Sequence, residues 1–575
     1  MKNLSRRGFI EGAALGTVGL GVSLQAAAQS GEISNEDALA AAERVMDLSF
    51  ADGERAMIAE GLEDQLTLIQ AVRSARHPNS NAPAVVFNPQ LKDHTYRAQQ
   101  DAITLYAADI PAIPDNAEDI AFAPLTHLSH WVRTRQIRSA DLTELYLNRI
   151  NRYAGGLECF VTLTDDLARA QAAQADEDIA ADNYRGPLHG IPYGLKDLFD
   201  TDGILTTWGA ATHQDRVAEG DAHIVDLLQD AGAVLLGKTT CGALAQGDVW
   251  FGGVTRNPWN RAEGSSGSSA GSASATAAGL MGFAIGTETL GSIISPANRC
   301  GIVGLRPTFG RVGRTGGMAL SWSLDKIGPI TRYAEDAALV LAAINGDDMH
   351  DASARPWGFD YDGQTDLSGL TLGYDPSAFE GDDASAVDLA ALQAAKSLGC
   401  TLREINLPNR DTAPLRLQIR AEGAAAFQEM MLDNTDDLLS RQTTWARPNS
   451  IRRMHFVSAV DVQQVDRLRR KLMYDMADIF DQCDAIIGPN YAGDMLWITN
   501  YTGHPQLTIR AGFEEREIDP AWRGNAPPDP ARVTPKDVLP RNISLFGPLY
   551  EEGRLIAIAR ALETVLGVAD RRPQL

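Results

Sequence analysis

Two small-residue turns carry serines that could act as nucleophiles. The first is Gly264-Ser265-Ser266-Gly267-Ser268-Ser269-Ala270-Gly271-Ser272-Ala273, and the second is Gly291-Ser292-Ile293. A serine hydroxyl attacks a carbonyl only when a neighbour takes its proton. Glycines around it let backbone amides come close to a ligand and permit turns that hold the hydroxyl out. By composition alone the first stretch reads as a flexible linker. Its surroundings oppose that reading. It runs straight into an Ala-rich helical window, 273–280, and then into a strand-like run, 281–286. A linker also has no need of a matching serine turn that places Ser292 24 residues after Ser268.

Other chemistries for a glycine-rich loop fare worse. A phosphate-binding P-loop needs G-x-x-x-x-G-K-[ST], and the glycine-serine stretch 264–273 contains no such string. A strand–G-x-G-x-x-G–helix dinucleotide unit is missing too. The hydrolase elbow G-x-S-x-G fits Gly267-Ser268-Ser269-Ala270-Gly271 loosely, with Ser269 as nucleophile. It would need a later histidine, for which His350, His455 and His504 are available, and an acid; this alternative stays open. No H-E-x-x-H string or dense His/Asp cluster suggests a metal. Cys159, Cys241, Cys300, Cys400 and Cys483 form no C-x-x-C pair, and an odd, widely spaced set reads as buried thiols. No cofactor is expected.

The elements that must hold these serines read as α/β. Short apolar runs at 191–195 and 233–237 look like buried strands, and helical windows such as 223–229 alternate with them. That alternation predicts a large, mostly parallel or mixed sheet. Further elements are a helix after Ser139 with Leu142, Leu145, Tyr146 and Ile150 on one face, a buried strand at 484–489 and a closing helix at 554–566. Lys196 ends the 191–195 run; by residue type alone it is a surface lysine at a strand end. Near the N-terminus, Ser34 and Asp37 fit a capping box before a helix at 38–46. A second helical run spans 54–76, and 83–114 reads as an extended connection.

Several long strings, in order, carry a family resemblance. Gly267 to Ala273, then Gly286-Thr287-Glu288-Thr289-Leu290-Gly291-Ser292-Ile293, then Gly304-Leu305-Arg306-Pro307-Thr308, resemble the amidase signature. Gly190-Ile191-Pro192-Tyr193-Gly194-Leu195-Lys196-Asp197 resembles the strand bearing that family's catalytic lysine. Thr255 to Asn260, Ser323 to Ile330, and Thr502-Gly503-His504-Pro505 are similar to flanking segments. The resemblance covers roughly residues 119–575. It implies an α/β fold with a large mixed sheet flanked by helices on both faces. It also implies a Ser–cis-Ser–Lys triad: Ser292 as nucleophile, Ser268 as bridging serine joined by a cis peptide bond, and Lys196 as base. The backbone N–H groups of Thr289, Leu290, Gly291 and Ser292 would form the oxyanion hole. The implied reaction is hydrolysis of a carboxylic amide through a Ser292 acyl-enzyme, without metal or cofactor. Asp197 beside Lys196 would oppose a neutral base, but successive strand residues point to opposite faces. The sequence departs from the family at Glu288, where Asp is usual, at Ile294, where Arg is usual, and at Gly242-Ala243. The missing cation speaks against a small anionic substrate.

Composition sets the wider frame. The chain has 575 residues, 44% hydrophobic and 22% charged, as a globular protein would. Acids outnumber bases 75 to 51 for a net charge of -24, which repels phosphate backbones and anionic lipid. Lys2, Arg6 and Arg7, a Gly/Ala-rich apolar stretch and Ala26-Ala27-Ala28 read as an export leader. The string Ser5-Arg6-Arg7-Gly8-Phe9-Ile10 resembles a twin-arginine signal. The expected layout is a leader at 1–28 cleaved near Ala28, a helical extension and connection at 29–118, and a catalytic domain at 119–575. The expected protein is a periplasmic amidase acting on a small-molecule amide, with no nucleic-acid partner, no stable membrane anchor and a possible homodimer. The alternatives are a glutaminase of the kind that serves tRNA-dependent amidotransferases and a non-catalytic binding protein of the same fold.

Overall fold

The computed structural model describes residues 34–106, 109–380, 384–521 and 535–575. The leader expected at 1–28 lies outside the described residues. Two compact units are present, one of residues up to His77 with Phe456–Ser458, the other of Pro78–His455 and Ala459–Leu575.

The smaller unit contains two helices, Asn35–Met46 and Asp52–Ser74. Ser34 caps the first: its hydroxyl accepts from the Asp37 N–H at 3.1 Å and donates to the Asp37 carboxylate at 2.8 Å. Glu54 caps the second by accepting from the Ala51 N–H. Arg55 ties the two together through Glu43 at 2.9 Å. The apolar periodicity of the second helix does form a helix, two residues earlier than its sequence pattern suggests. It buries none of its residues, because two helices enclose no core.

The larger unit is built on an eleven-stranded sheet. Its strands in chain order are β1 (Phe160–Leu163), β2 (Pro192–Lys196), β3 (Val234–Thr239), β4 (Phe283–Glu288), β5 (Val303–Arg306), β6 (Lys326–Thr331), β7 (Thr371–Tyr374), β8 (Thr401–Glu404), β9 (Ala485–Pro489), β10 (Gln506–Glu517) and β11 (Lys536–Phe546). They lie in the order β8-β7-β9-β11-β10-β5-β6-β4-β2-β3-β1. β3-β2-β4 and β8-β7-β9 run parallel, and antiparallel pairs join these two blocks. The sheet is therefore mixed. Every residue of β2, β3, β6 and β9 is buried. Successive residues point to opposite faces, so both faces are covered, as parallel strands require. Flanking helices include Ser139–Leu157, whose Leu142, Tyr146 and Ile150 are buried as the periodicity predicts, and Glu552–Leu566.

Among the described residues the segment after Pro78 has no helix before Ala117–Ala121, and it belongs to the larger unit. It is held by side chains and one short ladder. Arg97 pairs with Glu551 at 2.9 Å, Gln99 donates to the Tyr550 carbonyl, and the two-residue strand Ile103–Thr104 pairs with Tyr361–Asp362.

Candidate active site

Adjacent parallel strands bring the serine turns and the lysine together. β2 ends at Lys196, and β4 beside it ends at Glu288, where the second serine turn begins. The first turn leads into the wholly buried helix Ala270–Ala277. Small residues are needed there: a Cβ on Gly271 would lie 2.2 Å from the Cys159 carbonyl oxygen. The Gly271 N–H instead donates to the Thr240 carbonyl just past the end of β3. The Gly267–Ser268 peptide bond is cis, as the resemblance implies.

Lys196 is fully buried. Its Nζ lies 2.8 Å from Ser268 Oγ, 3.0 Å from Ser269 Oγ and 2.7 Å from Thr287 Oγ1. All these partners are neutral. Burial lowers the lysine pKa to about 8, with Cys241, Asp325 and Glu288 opposing it more weakly. Asp197, the sequence-level concern, turns away. Its carboxylate accepts from the Thr207 N–H at 3.0 Å and from the Thr207 hydroxyl, and it faces Lys238 Nζ at 3.5 Å.

The two serines on Lys196 are not equivalent. Ser269 Oγ donates to the Thr287 carbonyl at 3.1 Å and accepts from the Thr287 N–H at 3.2 Å. Its proton is committed to a backbone oxygen. Ser268 Oγ has no oxygen acceptor among the described residues; it meets Lys196 Nζ at 2.8 Å and the Cys241 thiol. The elbow scheme with Ser269 as nucleophile fails on the same ground. Ser269 has no histidine partner, His350 is exposed, and His504 bonds the Thr502 hydroxyl at 2.8 Å. Burial holds the His504 pKa near 3, so its imidazole is neutral.

Ser292 sits just after Gly291, whose φ of +82° suits glycine. Its carbonyl accepts from the Ser269 N–H at 3.1 Å, which joins the two serine turns directly. Ser292 is 7% exposed, against 0% for Ser268. Among the described residues, the N–H groups of Thr289, Leu290, Gly291 and Ser292 have no protein acceptor. Glu288 fixes the far side of the turn. One carboxylate oxygen accepts from the Ile293 and Ile294 N–H groups at 2.9 and 3.0 Å. The other accepts from Arg306 Nη1 and Asn500 Nδ2, both at 2.9 Å. Arg306 goes on to Gln506, Thr499 and the His504 carbonyl. The Arg306 guanidinium and the backbone donors hold the Glu288 pKa below the usual range despite its burial. Asp325 accepts from the Thr289 hydroxyl at 2.5 Å, bracing the start of the turn.

Sequence reasoning did not single out Thr287, Glu288, Arg306, Asn500 and Asp325 for these tasks. Most of them stand in the strings that carry the family resemblance; only contact geometry separates them from their neighbours. Among the described residues no group of His, Cys, Asp and Glu could hold a metal.

Comparison with known proteins gives the family. The sequence model of the family described as Amidase matches residues 141–517. The chain belongs to the amidase signature family. Members hydrolyse amides, and this chain is an amide-hydrolysing enzyme. It is 33% identical over 507 residues to one of the subunits of glutamyl-tRNA(Gln) amidotransferase from Azoarcus sp. strain BH72, covering 79% of this chain and 99% of that one. Among solved structures it is similar to a native peptide amidase from Stenotrophomonas maltophilia, with a TM-score of 0.66 and 28% identity. That match covers 79% of this chain and 98% of the other. A bacterial aryl acylamidase, 21% identical at a TM-score of 0.64, shares the fold.

The Glu288 clamp gives a stability prediction. Glu288→Gln puts an amide NH₂ among donors and leaves Arg306 without its buried counter-charge. Urea unfolding is expected to show a loss of about 3–5 kcal/mol. A loss below about 1 kcal/mol would mean that the pair does not fix the turn.

Proposed function

We propose that the protein hydrolyses a carboxylic amide through an acyl-enzyme on Ser292, with Ser268 and Lys196 as the proton relay. The observation that carries this reading is the buried Lys196, hydrogen-bonded only to neutral groups and 2.8 Å from the Ser268 hydroxyl, which no backbone oxygen among the described residues engages. Ser292 Oγ attacks the amide carbon while its proton passes to Ser268 and the Ser268 proton passes to Lys196. The oxyanion takes up the unpaired N–H groups of Thr289, Leu290, Gly291 and Ser292; one such donor is worth about 3–4 kcal/mol of barrier. The lysine then returns its proton through Ser268 to the leaving nitrogen, the C–N bond breaks, and ammonia or an amine departs. Water cleaves the acyl-enzyme by the same relay. The domain at 119–575 carries all these groups, without metal or cofactor.

A second reading, a glutaminase that works within a tRNA-dependent amidotransferase, is favoured by the names of relatives such as the Azoarcus protein. The net charge of -24 disfavours a tRNA partner. The twin-arginine-like leader supports a periplasmic enzyme instead. No described helix is long and apolar enough to cross a membrane. The helical N-terminal extension leaves a homodimer open as a proposal.

Three outcomes are expected. A fluorophosphonate labels the wild-type protein, and Ser292→Ala abolishes both labelling and amide hydrolysis, the latter by at least about 10⁴-fold. An unlabelled wild type would sink the mechanism. The base must be neutral, so kcat/KM should rise about tenfold per pH unit up to about 8 and level off above it. A flat profile between pH 6 and 9 would remove Lys196 as base. Cell fractionation should find the protein in the periplasm, and the Arg6→Lys, Arg7→Lys double variant in the cytoplasm. Unchanged periplasmic yield of that variant would refute twin-arginine export.

A further inference from the structure

A cleft of about 1070 Å³ lies beside the candidate site, bordering it through Thr287 and Thr289 and not through Lys196, Ser268 or Ser292 themselves. Its floor includes Thr287, which bonds Lys196, and Thr289 of the nucleophile turn. Phe199, Met318, Trp322 and Met473 are among its walls. The volume is at the top of the range of about 300–1,000 Å³ for small-molecule sites. An amide with a two-carbon acyl group would leave most of it filled with water.

One wall comes from outside the family core. Residues 79–88 line the cleft, whereas the family match begins at 141. This strap is pinned at both ends. The Asn79 side-chain amide donates to the Ala319 carbonyl at 2.7 Å and accepts from the Ala319 N–H at 2.8 Å. At the other end the Arg469 guanidinium lies 3.3 Å from the centre of the Phe87 ring, and Phe309 packs on that ring edge-on at 5.2 Å. Between these anchors runs Ala82-Pro83-Ala84-Val85-Val86. Among the described residues these five make no hydrogen bond to the rest of the chain. Val85 is 88% exposed. An unbroken apolar run held over a cleft without a partner of its own has surface to bury against a ligand.

The charges in the cleft sharpen the ligand's chemistry. Arg314 is bonded to Asp351, to Ser353 and to the Trp322 and Asp325 carbonyls. Arg469 is bonded to Ser323 and to the Tyr501 carbonyl. Lys326 donates to the Leu324 carbonyl. Glu422 accepts from Ser321, Ser323 and Gln418. The interior cations are thus engaged by the protein's own oxygens, and Arg470 and His350 are exposed. A substrate carboxylate deep in the cleft would find no unengaged counter-charge to offset its desolvation; Arg470 and His350 also line the cleft, but as exposed residues at its solvent side.

We propose that the strap at 79–88 is the specificity-determining wall of the substrate cleft and selects amides with a bulky, uncharged, apolar acyl group. This rests on the acyl-enzyme reading above. The test measures kcat/KM for straight-chain primary amides of two to ten carbons, and for their ω-carboxyl counterparts, with wild type, Val86→Asp and Val86→Ala. Wild type should gain up to about fourfold per methylene until the cleft is full. A terminal carboxylate should cost about tenfold or more. Val86→Asp should lower the eight-carbon to two-carbon ratio by about tenfold or more, with Val86→Ala moving it less in the same direction. A profile flat with chain length overturns the proposal, as does equal turnover of the ω-carboxyl amides. So does an unchanged ratio in both strap variants, or an equal fall for short and long amides. If the protein is labelled by fluorophosphonate and cleaves short amides, those results refute the wall alone. If it is neither labelled nor active, the acyl-enzyme reading fails and takes the wall with it.

Discussion

A lysine buried without a carboxylate is the constraint on which the site depends. An ammonium group taken out of water loses far more than three hydroxyl contacts return, so burial favours the free amine. Lys196 meets only Ser268, Ser269 and Thr287. Lys238, also fully buried and opposite Leu195 on β3, shows the other solution. It sits 3.5 Å from Asp197 and donates to Thr206 and the Phe199 carbonyl. The two lysines are one strand apart. The alternation of side chains along β2 and the turn after it keeps Asp197, the carboxylate next in sequence, on the Lys238 side. Had Asp197 faced Lys196, the amine would hold its proton and could not act as a base.

Keeping the Lys196 pKa low has a structural cost at the next strand. β4 ends in Glu288, and a second buried carboxylate close to Lys196 would raise its pKa again. Arg306 cancels that effect locally by pairing with Glu288 at 2.9 Å inside a shell of Gln506, Thr499 and the His504 carbonyl. The remaining lone pairs of Glu288 face Asn500 and two backbone N–H groups. A buried ion pair is tolerable only when so completely hydrogen-bonded, and its use here is to set a turn, not to add stability. The same carboxylate that takes up the Ile293 and Ile294 N–H groups leaves the four before them without acceptors. The departure from the usual Asp at position 288 is accommodated by this shell.

Much of this was legible in the sequence, and the reason is local. The strand–helix alternation, the buried runs at 191–195 and 484–489 and the helix after Ser139 follow from apolar period and turn residues, and each lies within a few residues of its observed bounds. Lys196, Ser268 and Ser292 could be named because long strings surround them. What was not legible depends on distance across the fold. Nothing in the order of residues says that Ser269, one position from Ser268, commits its proton to Thr287, or that Arg306 reaches Glu288. The helical run at 54–76 shows the opposite failure. Its period is real, yet the helix buries nothing, because period predicts a face and not a partner. The connection read at 83–114 carried no pattern, since side-chain clamps such as Asn79 and Arg97 hold it and leave no periodic trace.

Positive charge in the larger unit is structural wherever it is buried. Arg306, Arg314, Arg469 and Arg447 all direct their guanidinium groups at carbonyls, carboxylates or hydroxyls of the chain itself. Arg447 reaches the Leu244 and Ala245 carbonyls, and burial lowers its pKa to about 10. Fixed in this way, these groups stiffen the loops that carry the site but offer nothing to an incoming anion. The net charge is acidic, these interior cations are bonded to the chain's own oxygens, and Ile294 stands near Ser292 where the family usually carries a cation. Each of these three facts, at a different depth, disfavours an anionic partner. A neutral amide is the ligand that meets no electrostatic obstacle at any of them.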